Sequence, residues 1–350
     1  MPAAKREVSA DKFVFGCHRF GFGPAPGGTG AVDVEKHVVP LVKIAWDQGI
    51  RAFDSAVLYR ATLQLGQALQ ILGIDPNQIR FQTKCLRYLG LAAVGSAVEH
   101  QPEANLQGIP ARYHGLTDKW DTSPKGIEQQ ICRERIEYGG QTMVGVALHD
   151  PPDMQKQIGL NWDTDIRPAV AYLKAARQAG FFERIGLGIK EPDFVQRFVA
   201  EEPGTLDYAG ITFCPSILGP LMKVIDLSHA QNFQVTLMGI NYGQAFTLTE
   251  DPATAPPFLY NYEIATAEER ALMSLFYRIC GSTPLLHLAA AVAGLLVVHF
   301  PKSLTQIVTS TMTPSRLVET MRLVREAEVP APVWSELKSA GLIPKEFPTS

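Results

Sequence analysis

Short apolar runs alternate with amphipathic segments along most of the chain. The run that ends at Asp54 and the run 79–84 have the length and composition of buried strands. Segment 34–48 places its apolar residues on one face of a helix, with Asp33 as a cap before it and Gly49 after it. This alternation predicts strands that are each followed by a helix, which is the pattern of a parallel sheet.

About eight such strands can be counted, which is the number that closes into a barrel. The strand-like runs lie within 12–23, 50–54, 79–84, 143–149, 184–189, 208–214, 234–240 and 304–309. Helical patterns cover 34–48, 61–72, 124–137, 165–178, 191–200, 217–230, 265–280, 285–298 and 314–326. We therefore predict an α/β fold, a (β/α)8 TIM barrel that forms a single domain over residues 1–350. A doubly wound open sheet is the alternative, but no GxGxxG motif follows the first strand.

Residues 86–120 interrupt the alternation. They are rich in glycine and polar residues, and they sustain neither a helical nor a strand period. A loop of this length is unusual inside a compact domain and is often a functional lid. The sequence predicts a long insertion here, which could equally be a lid over the strand ends or a disordered excursion.

Composition narrows the class of protein. A hydrophobic content of 46% suits a buried core, and a net charge of -3 without a basic stretch argues against partners such as nucleic acid or a membrane surface. The five cysteines are scattered without metal-ligand spacing, so we expect no metal site and reduced thiols. The apolar stretch 285–300 is too short to span a membrane, and no signal peptide is visible. We expect a cytoplasmic protein that acts on a small molecule, and a homo-oligomer remains open.

Four polar side chains stand at or just after the ends of successive strands. Asp54 ends one run, and Tyr59 follows it by five residues. Lys84 ends the next run, and His149 ends the run 143–149. In a parallel barrel these ends share one mouth, where catalytic groups collect. A phenol has an ordinary pKa of about 10, so it works near neutral pH only if a cation stabilises its phenolate, and Lys84 is the candidate cation.

The motifs around these residues resemble those of the aldo-keto reductases. Phe53-Asp54-Ser55-Ala56 with Tyr59 matches the family's FDTA..Y motif, Thr83-Lys84 matches TK, and Leu148-His149 matches LH. The resemblance runs over nearly the whole chain. It implies a (β/α)8 barrel and an NAD(P)-dependent oxidoreductase that transfers a hydride between a nicotinamide and a carbinol or carbonyl carbon. Because some barrels of this family are binding or regulatory subunits, a non-catalytic nicotinamide-binding role is a further alternative.

The resemblance also implies a role for each of the four side chains. Tyr59 is expected to be the general acid or base at the substrate oxygen, with its pKa lowered by the nearby charge of Lys84. Asp54 is expected to pair with Lys84 and hold it in place. His149 is expected to hydrogen-bond the substrate oxygen and stabilise developing charge. No metal is needed for this chemistry.

Several stretches resemble one branch of the family, which includes D-threo-aldose (L-fucose) and galactose dehydrogenases and pyridoxal 4-dehydrogenase. These stretches are 120–127, 148–151, 185–188 and 283–301, and the long spacing between Lys84 and His149 is also similar. Enzymes of this branch oxidise the anomeric carbon of an aldose to a lactone. The resemblance therefore implies an aldose as the substrate.

Three positions depart from the family pattern. Arg60 replaces the Gly that usually follows the Tyr, and Lys190 stands where many members carry an Asn near the nicotinamide carboxamide. Ser310 occupies the position of a Lys in the reductase motif. These departures keep a second substrate class open, namely an aldehyde or ketone reduced in the biosynthesis of a secondary metabolite.

The expected cofactor is NADP(H), with NAD(H) as the open alternative. Thr313 followed by Pro314 predicts the start of a helix, whose exposed amides suit a phosphate. Arg316 in the first turn can add a bidentate contact, and the segment resembles the reductase TPxR motif, which implies a contact with the adenosine 2′-phosphate. The expected cofactor-binding residues are Lys190, Ser310, Thr311, Ser315 and Arg316.

Overall fold

Eight parallel strands close into a barrel in the computed structural model, which describes residues 6–22, 32–91, 116–141, 143–240, 245–260 and 263–349. Each strand is hydrogen-bonded to the next one along the chain, and the eighth returns to the first. In chain order the strands are Phe13–Gly16, Ala52–Asp54, Arg80–Cys85, Met143–His149, Phe182–Ile189, Tyr208–Thr212, Gln234–Met238 and Leu304–Thr309. The predicted closed barrel is confirmed, and the open-sheet alternative is wrong.

The strand register brings the polar strand ends to one mouth of the barrel. Asp54 is paired with Gln82 of the third strand, and Lys84 of that strand is paired with Ala147 of the fourth. His149 at the end of the fourth strand is paired with Gly188 of the fifth. Parallel strands in this register place the side chains of neighbouring strand ends within reach of one another.

The helices surround the barrel, and each predicted helix is present to within a few residues. They are His18–Phe22, Val39–Asp47, Thr62–Leu72, Pro124–Tyr138, Pro151–Ile158, Arg167–Gln178, Asp193–Glu201, Leu218–Gln231, Ala267–Cys280, Leu285–His299, Pro314–Glu326 and Ala331–Ser339. The π-helical turns Val34–Val38 and Trp162–Ile166 lead into two of them. The first, fifth and last of these helices were not predicted.

The apolar helix Leu285–His299 is buried along nearly its whole length. Its apolar composition therefore reflects a position inside the packed outer layer. Among the described residues no single helix has the length and apolar character to cross a bilayer. Within the described ranges one pair of helices, Ala267–Cys280 and Leu285–His299, passes that test jointly, and it is bent by 87°.

The segment 86–120 contains a strand near each of its two ends. Strands Arg87–Leu91 and Leu116–Trp120 form an antiparallel two-stranded ribbon, in which Arg87 faces Trp120. The prediction of a loop without a strand period is therefore wrong at both ends. Residues 92–115 lie outside the described residues, so the choice between a lid and a disordered excursion remains a prediction for that part.

Candidate active site

A buried ion pair lies at the mouth of the barrel between Lys84 Nζ and Asp54 Oδ1. The ammonium also donates to the backbone oxygen of Ser55 at 2.8 Å. The other carboxylate oxygen of Asp54 accepts from Gln82 Nε2 at 2.9 Å. Because both buried charges keep further hydrogen-bond partners, the cost of removing them from water is offset and the ammonium is held in one place.

Glycine at position 188 makes room for the side chain of Lys84. A Cβ atom at Gly188 would lie 2.7 Å from Lys84 Cδ and 2.9 Å from Cε. The aliphatic part of the lysine therefore passes directly over the backbone of the fifth strand before its ammonium reaches Asp54.

The Tyr59 ring is surrounded by the other groups of the site. Tyr59 ends the 3-10 turn Val57–Tyr59, which follows the second strand. Lys84 Nζ lies 5.3 Å from the ring centroid. The His149 ring meets the phenol edge-on at a centroid distance of 5.5 Å, and the His18 ring does so at 4.8 Å. The structure thus brings together all four residues that the sequence singled out, and adds His18.

The residue after the tyrosine turn has an unusual backbone. Arg60 has φ 53° and ψ 33°, which is the left-handed region that favours glycine. This conformation gives a physical reason for the glycine that is usual at this position. The arginine adds a contact that glycine lacks, because its Nη2 donates to the backbone oxygen of Leu89 at 2.6 Å. The tyrosine turn is thereby tied to the ribbon of the insertion.

His149 is held in a neutral state by its surroundings. Burial lowers the pKa of this imidazole well below its ordinary 6.5, and the positive charges of Lys84, Arg87 and Lys190 lower it further. Its Nε2 lies 3.7 Å from Asp150 Oδ2, and its buried Nδ1 has no hydrogen-bond partner among the described residues. A neutral imidazole can donate one hydrogen bond and accept another, which suits contact with a substrate oxygen.

Four buried charges form a network beside His149. Arg87 Nη1 lies 3.0 Å from Asp150 Oδ2 and 3.1 Å from Asp153 Oδ2. Lys190 Nζ lies 2.8 Å from the same oxygen of Asp153. Burial alone would lower the pKa of Lys190, but the carboxylates of Asp150 and Asp153 more than offset it, so the pKa is raised. Through Arg87, the network fixes the start of the strand Arg87–Leu91 to the ends of the fourth and fifth barrel strands.

A second polar cluster lies behind the strand ends that carry Asp54 and Lys84. Glu134 Oε2 accepts from Thr83 Oγ1 at 2.5 Å and from Thr62 Oγ1 at 2.8 Å. Thr62 in turn is 2.9 Å from Ser55 Oγ. Burial raises the pKa of Glu134 to about 7, although the two threonine hydroxyls act in the opposite direction. The carboxyl thus links the residues adjacent to Asp54 and Lys84 to the helix Pro124–Tyr138.

The residues predicted to bind the cofactor phosphate lie together after the eighth strand. The buried Ser310 Oγ has no hydrogen-bond partner within the described ranges. Thr311 Oγ1 accepts from Thr313 N at 3.0 Å, and the side chain of Thr313 does not cap the helix that follows. Ser315 and Arg316 are exposed in its first turn. An uncapped helix start with a nearby arginine and an unpaired hydroxyl fits a phosphate group.

Lys190 is placed apart from that cluster, at the end of the fifth strand. Its ammonium is engaged by Asp153, so any contact with a cofactor would be made by a lysine already neutralised by a carboxylate. Across the described ranges, no group of three or more His, Cys, Asp or Glu side chains could hold a metal ion.

Sequence reasoning missed four residues of this region. His18 follows the end of the first strand, so the rule that found the other strand-end residues could also have found it. Arg87, Asp153 and Glu134 gave no such signal, because their partners are 37 to 72 residues away in the chain. Their roles depend on contacts between elements that a local pattern does not reveal.

Comparison with known proteins supports the resemblance. A D-threo-aldose 1-dehydrogenase from a Pseudomonas species is 24% identical over 312 residues, which cover 87% of this chain and 88% of that protein. An aldo-keto reductase from Bacillus halodurans, solved in its holo form, superposes with a TM-score of 0.63 at 14% identity, covering 96% of this chain and 94% of the other.

A glycerol dehydrogenase from Gluconobacter oxydans has a TM-score of 0.64 at 14% identity, covering 97% of this chain and 94% of the other. No family model matches the chain. The expected resemblance to aldo-keto reductases is confirmed by these comparisons, as is the barrel. The expected class of enzyme agrees with the names of these proteins.

Proposed function

We propose that this chain is an NAD(P)-dependent oxidoreductase of the aldo-keto reductase type that oxidises an aldose to its lactone. The observation that carries the proposal is the buried cluster in which Lys84 is ion-paired with Asp54 and lies 5.3 Å from the Tyr59 ring centroid. A phenol beside a fixed ammonium, with a neutral imidazole at its edge, is suited to moving a proton at a carbinol or carbonyl oxygen.

Each side chain has a separate task in this proposal. The Tyr59 phenolate takes the proton from the substrate oxygen during oxidation, and the resulting phenol returns it in the reverse direction. Lys84 stabilises the phenolate, and Asp54 keeps Lys84 in position. His149 hydrogen-bonds the same substrate oxygen and stabilises the charge that develops on it. A bound nicotinamide supplies the hydride acceptor or donor.

The cofactor would be held by the segment after the eighth strand. The unpaired hydroxyl of Ser310 and the uncapped helix start at Thr313 support a phosphate site. Arg316 adds a permanent positive charge, which favours the extra phosphate of NADP(H) over NAD(H). Thr311, Ser315 and Lys190 complete the set of proposed contacts.

The proposed substrate class rests on the name of the Pseudomonas relative and on the resemblance of this sequence to the aldose-oxidising branch of the family. The Pseudomonas relative is named for the oxidation of an aldose at its first carbon. The departures at Arg60, Lys190 and Ser310 support a second candidate, a reductase of aldehydes or ketones. Both candidates use the same proton transfer at Tyr59 and differ in substrate and direction.

A substrate screen tests the proposal. The purified chain is mixed with NADP⁺ or NAD⁺ and a series of aldoses, and with NADPH or NADH and a series of aldehydes and ketones, while the absorbance of the reduced nicotinamide is followed. We expect turnover of at least one aldose. Turnover of carbonyl compounds alone would support the reductase instead.

Tyr59→Phe is the matched variant for that screen. Loss of a general acid or base costs about 10²–10⁴-fold in turnover, while nicotinamide binding, followed by quenching of tryptophan fluorescence, should change little. Tyr172→Phe, on the outer helix Arg167–Gln178, is the control and should leave turnover unchanged. Binding without turnover of any substrate by the unmodified chain would point to the binding-subunit alternative. A Tyr59→Phe enzyme with more than about a tenth of the original turnover would refute the assignment.

A further inference from the structure

His18 is a polar ring at the mouth of the barrel to which the proposed chemistry assigns no task. It is the first residue of the short helix that follows the first strand. The preceding residue, Cys17, donates its backbone N–H to the backbone oxygen of Asp54 at 2.8 Å, which fixes this chain segment to the end of the second strand. The His18 ring meets the Tyr59 ring edge-on, with an interplanar angle of 84°.

The surroundings of His18 keep it neutral throughout the ordinary pH range. Burial lowers the pKa of its imidazole to about 3, and the positive charges of Arg19 and Lys84 lower it further. Both imidazoles lie against the Tyr59 ring, with ring centroids 4.8 Å from it for His18 and 5.5 Å for His149. The phenol of Tyr59 is therefore accompanied by two neutral imidazoles, each of which can donate one hydrogen bond and accept another.

The two imidazoles come from different strand ends. His149 ends the fourth strand, while His18 follows the first, and the Tyr59 ring contacts both. In the proposed chemistry Tyr59 and His149 already bind the reacting oxygen. A carbonyl oxygen has two lone pairs to offer, and these two groups occupy them. A third hydrogen-bonding ring at the phenol is suited to a different oxygen of the same substrate.

We propose that His18 is a specificity-determining residue that hydrogen-bonds a second oxygen, on the atom next to the reacting carbon. The preferred substrate would then be an α-oxygenated one, such as an aldose or a 2-hydroxyaldehyde, and simple aldehydes would be poorer substrates. This inference rests on the proposed function, because it assumes that Tyr59 and His149 hold the reacting oxygen. It adds to that function the chemical feature that the site recognises.

The test compares paired substrates that differ by one hydroxyl. For oxidation by the unmodified chain, we compare kcat/KM for an aldose with kcat/KM for its 2-deoxy counterpart. For reduction, we compare kcat/KM for a 2-hydroxyaldehyde with kcat/KM for the corresponding unsubstituted aldehyde. Each comparison gives one ratio. In His18→Leu we expect this ratio to fall about tenfold, which is the net value of one hydrogen bond. His18→Gln keeps a donor and an acceptor and should retain part of the preference.

His229→Leu is the control, since His229 is exposed on the helix Leu218–Gln231 and should leave both ratios unchanged. A purely structural role for His18 would lower kcat/KM equally for both members of a pair, so an unchanged ratio in His18→Leu overturns the inference even if activity falls. Equal turnover of both paired substrates by the unmodified chain overturns it as well. Absence of turnover with every substrate would instead contradict the proposed function, so the two failures are distinguishable.

Discussion

Lys84 contacts both the acid and the phenol of the site, because its ammonium is ion-paired with Asp54 and lies 5.3 Å from the centroid of the Tyr59 ring. The same cation thus neutralises a buried carboxylate and, in the proposed function, stabilises a phenolate. Removing it has two separable consequences, one for the stability of the fold and one for the reaction.

Lys84→Met tests this double role. The variant leaves Asp54 as a buried carboxylate without its cation, and breaking a buried pair in this way costs about 3–5 kcal/mol of unfolding free energy. Turnover should fall about 10²-fold or more, which is the usual loss when general acid–base catalysis is disabled. The double variant Lys84→Met with Asp54→Asn removes the unpaired charge and should recover most of the stability but none of the turnover. Urea unfolding and initial rates measure the two effects, and joint recovery of both would contradict the role given to Lys84.

Gly188→Ala is expected to displace Lys84 while the barrel stays folded. The new methyl group would lie 2.7 Å from Lys84 Cδ, and the lysine cannot swing away without losing its ion pair with Asp54. We expect a fall in kcat larger than the change in the unfolding midpoint. Gly219→Ala, at a helical position where the added Cβ would meet no other part of the protein within 4 Å, is the control and should leave both unchanged. An unaltered kcat in Gly188→Ala would mean that the position of the lysine stem is unimportant.

Glu134 should make the stability of the protein depend on pH between its ordinary pKa of 4.5 and its folded value of about 7. In that window Glu134 keeps a proton in the folded protein that it has released in the unfolded chain. The contribution of this proton to the unfolding free energy is therefore complete below pH 4.5 and is lost as the pH rises through about 7. The gap between the two pKa values corresponds to about 3 kcal/mol.

Glu134→Gln removes this titration. Relative to the unmodified protein, the variant should therefore gain stability as the pH rises, and the difference in unfolding free energy between pH 4 and pH 8 should approach ~3 kcal/mol. Urea unfolding across that range measures it, with Glu319→Gln on an exposed helix face as the control. Parallel pH curves for Glu134→Gln and the unmodified protein would show that the carboxyl does not titrate in this window.

The strand ends were predictable because each is a local pattern, in which an apolar run stops at a polar residue such as Asp54 or His149. The register of a parallel barrel then brings such residues together without further information. The helix Pro151–Ile158 was missed because its two prolines look like a turn, although proline is well tolerated in the first turn of a helix. The left-handed backbone of Arg60 could not be predicted, since a non-glycine residue gives no local sign of it.

The buried charges of the site were the least predictable part. Arg87 belongs to an insertion, and its carboxylate partners Asp150 and Asp153 lie in another element. A charged residue in a polar loop is ordinarily a solvated one, so only the packing of the ribbon against the barrel reveals that Arg87 is buried. Glu134 is a similar case. The sequence pattern predicts the helix Pro124–Tyr138, but only the packed structure shows that Glu134 is buried and which hydroxyls it contacts.

The preference for NADP(H) over NAD(H) should depend on Arg316. This residue lies in the first turn of the helix Pro314–Glu326, whose start is not capped by the Thr313 side chain. The helix start and the guanidinium together suit the additional phosphate of NADP(H), and a hydrogen bond to a charged group is worth about 1.5–3 kcal/mol. We expect Arg316→Ala to raise the KM for NADP(H) about ten- to hundredfold and to change the KM for NAD(H) much less.

Arg322→Ala on the same helix is the matched control for that experiment. Arg322 lies two turns further along and pairs with Glu326 at 3.6 Å, so it carries the same charge away from the helix start. Its replacement should leave both KM values nearly unchanged, apart from a weak general effect of charge that salt screens. Equal small effects of Arg316→Ala and Arg322→Ala on both cofactors would remove Arg316 from the cofactor site and make NAD(H) the expected cofactor.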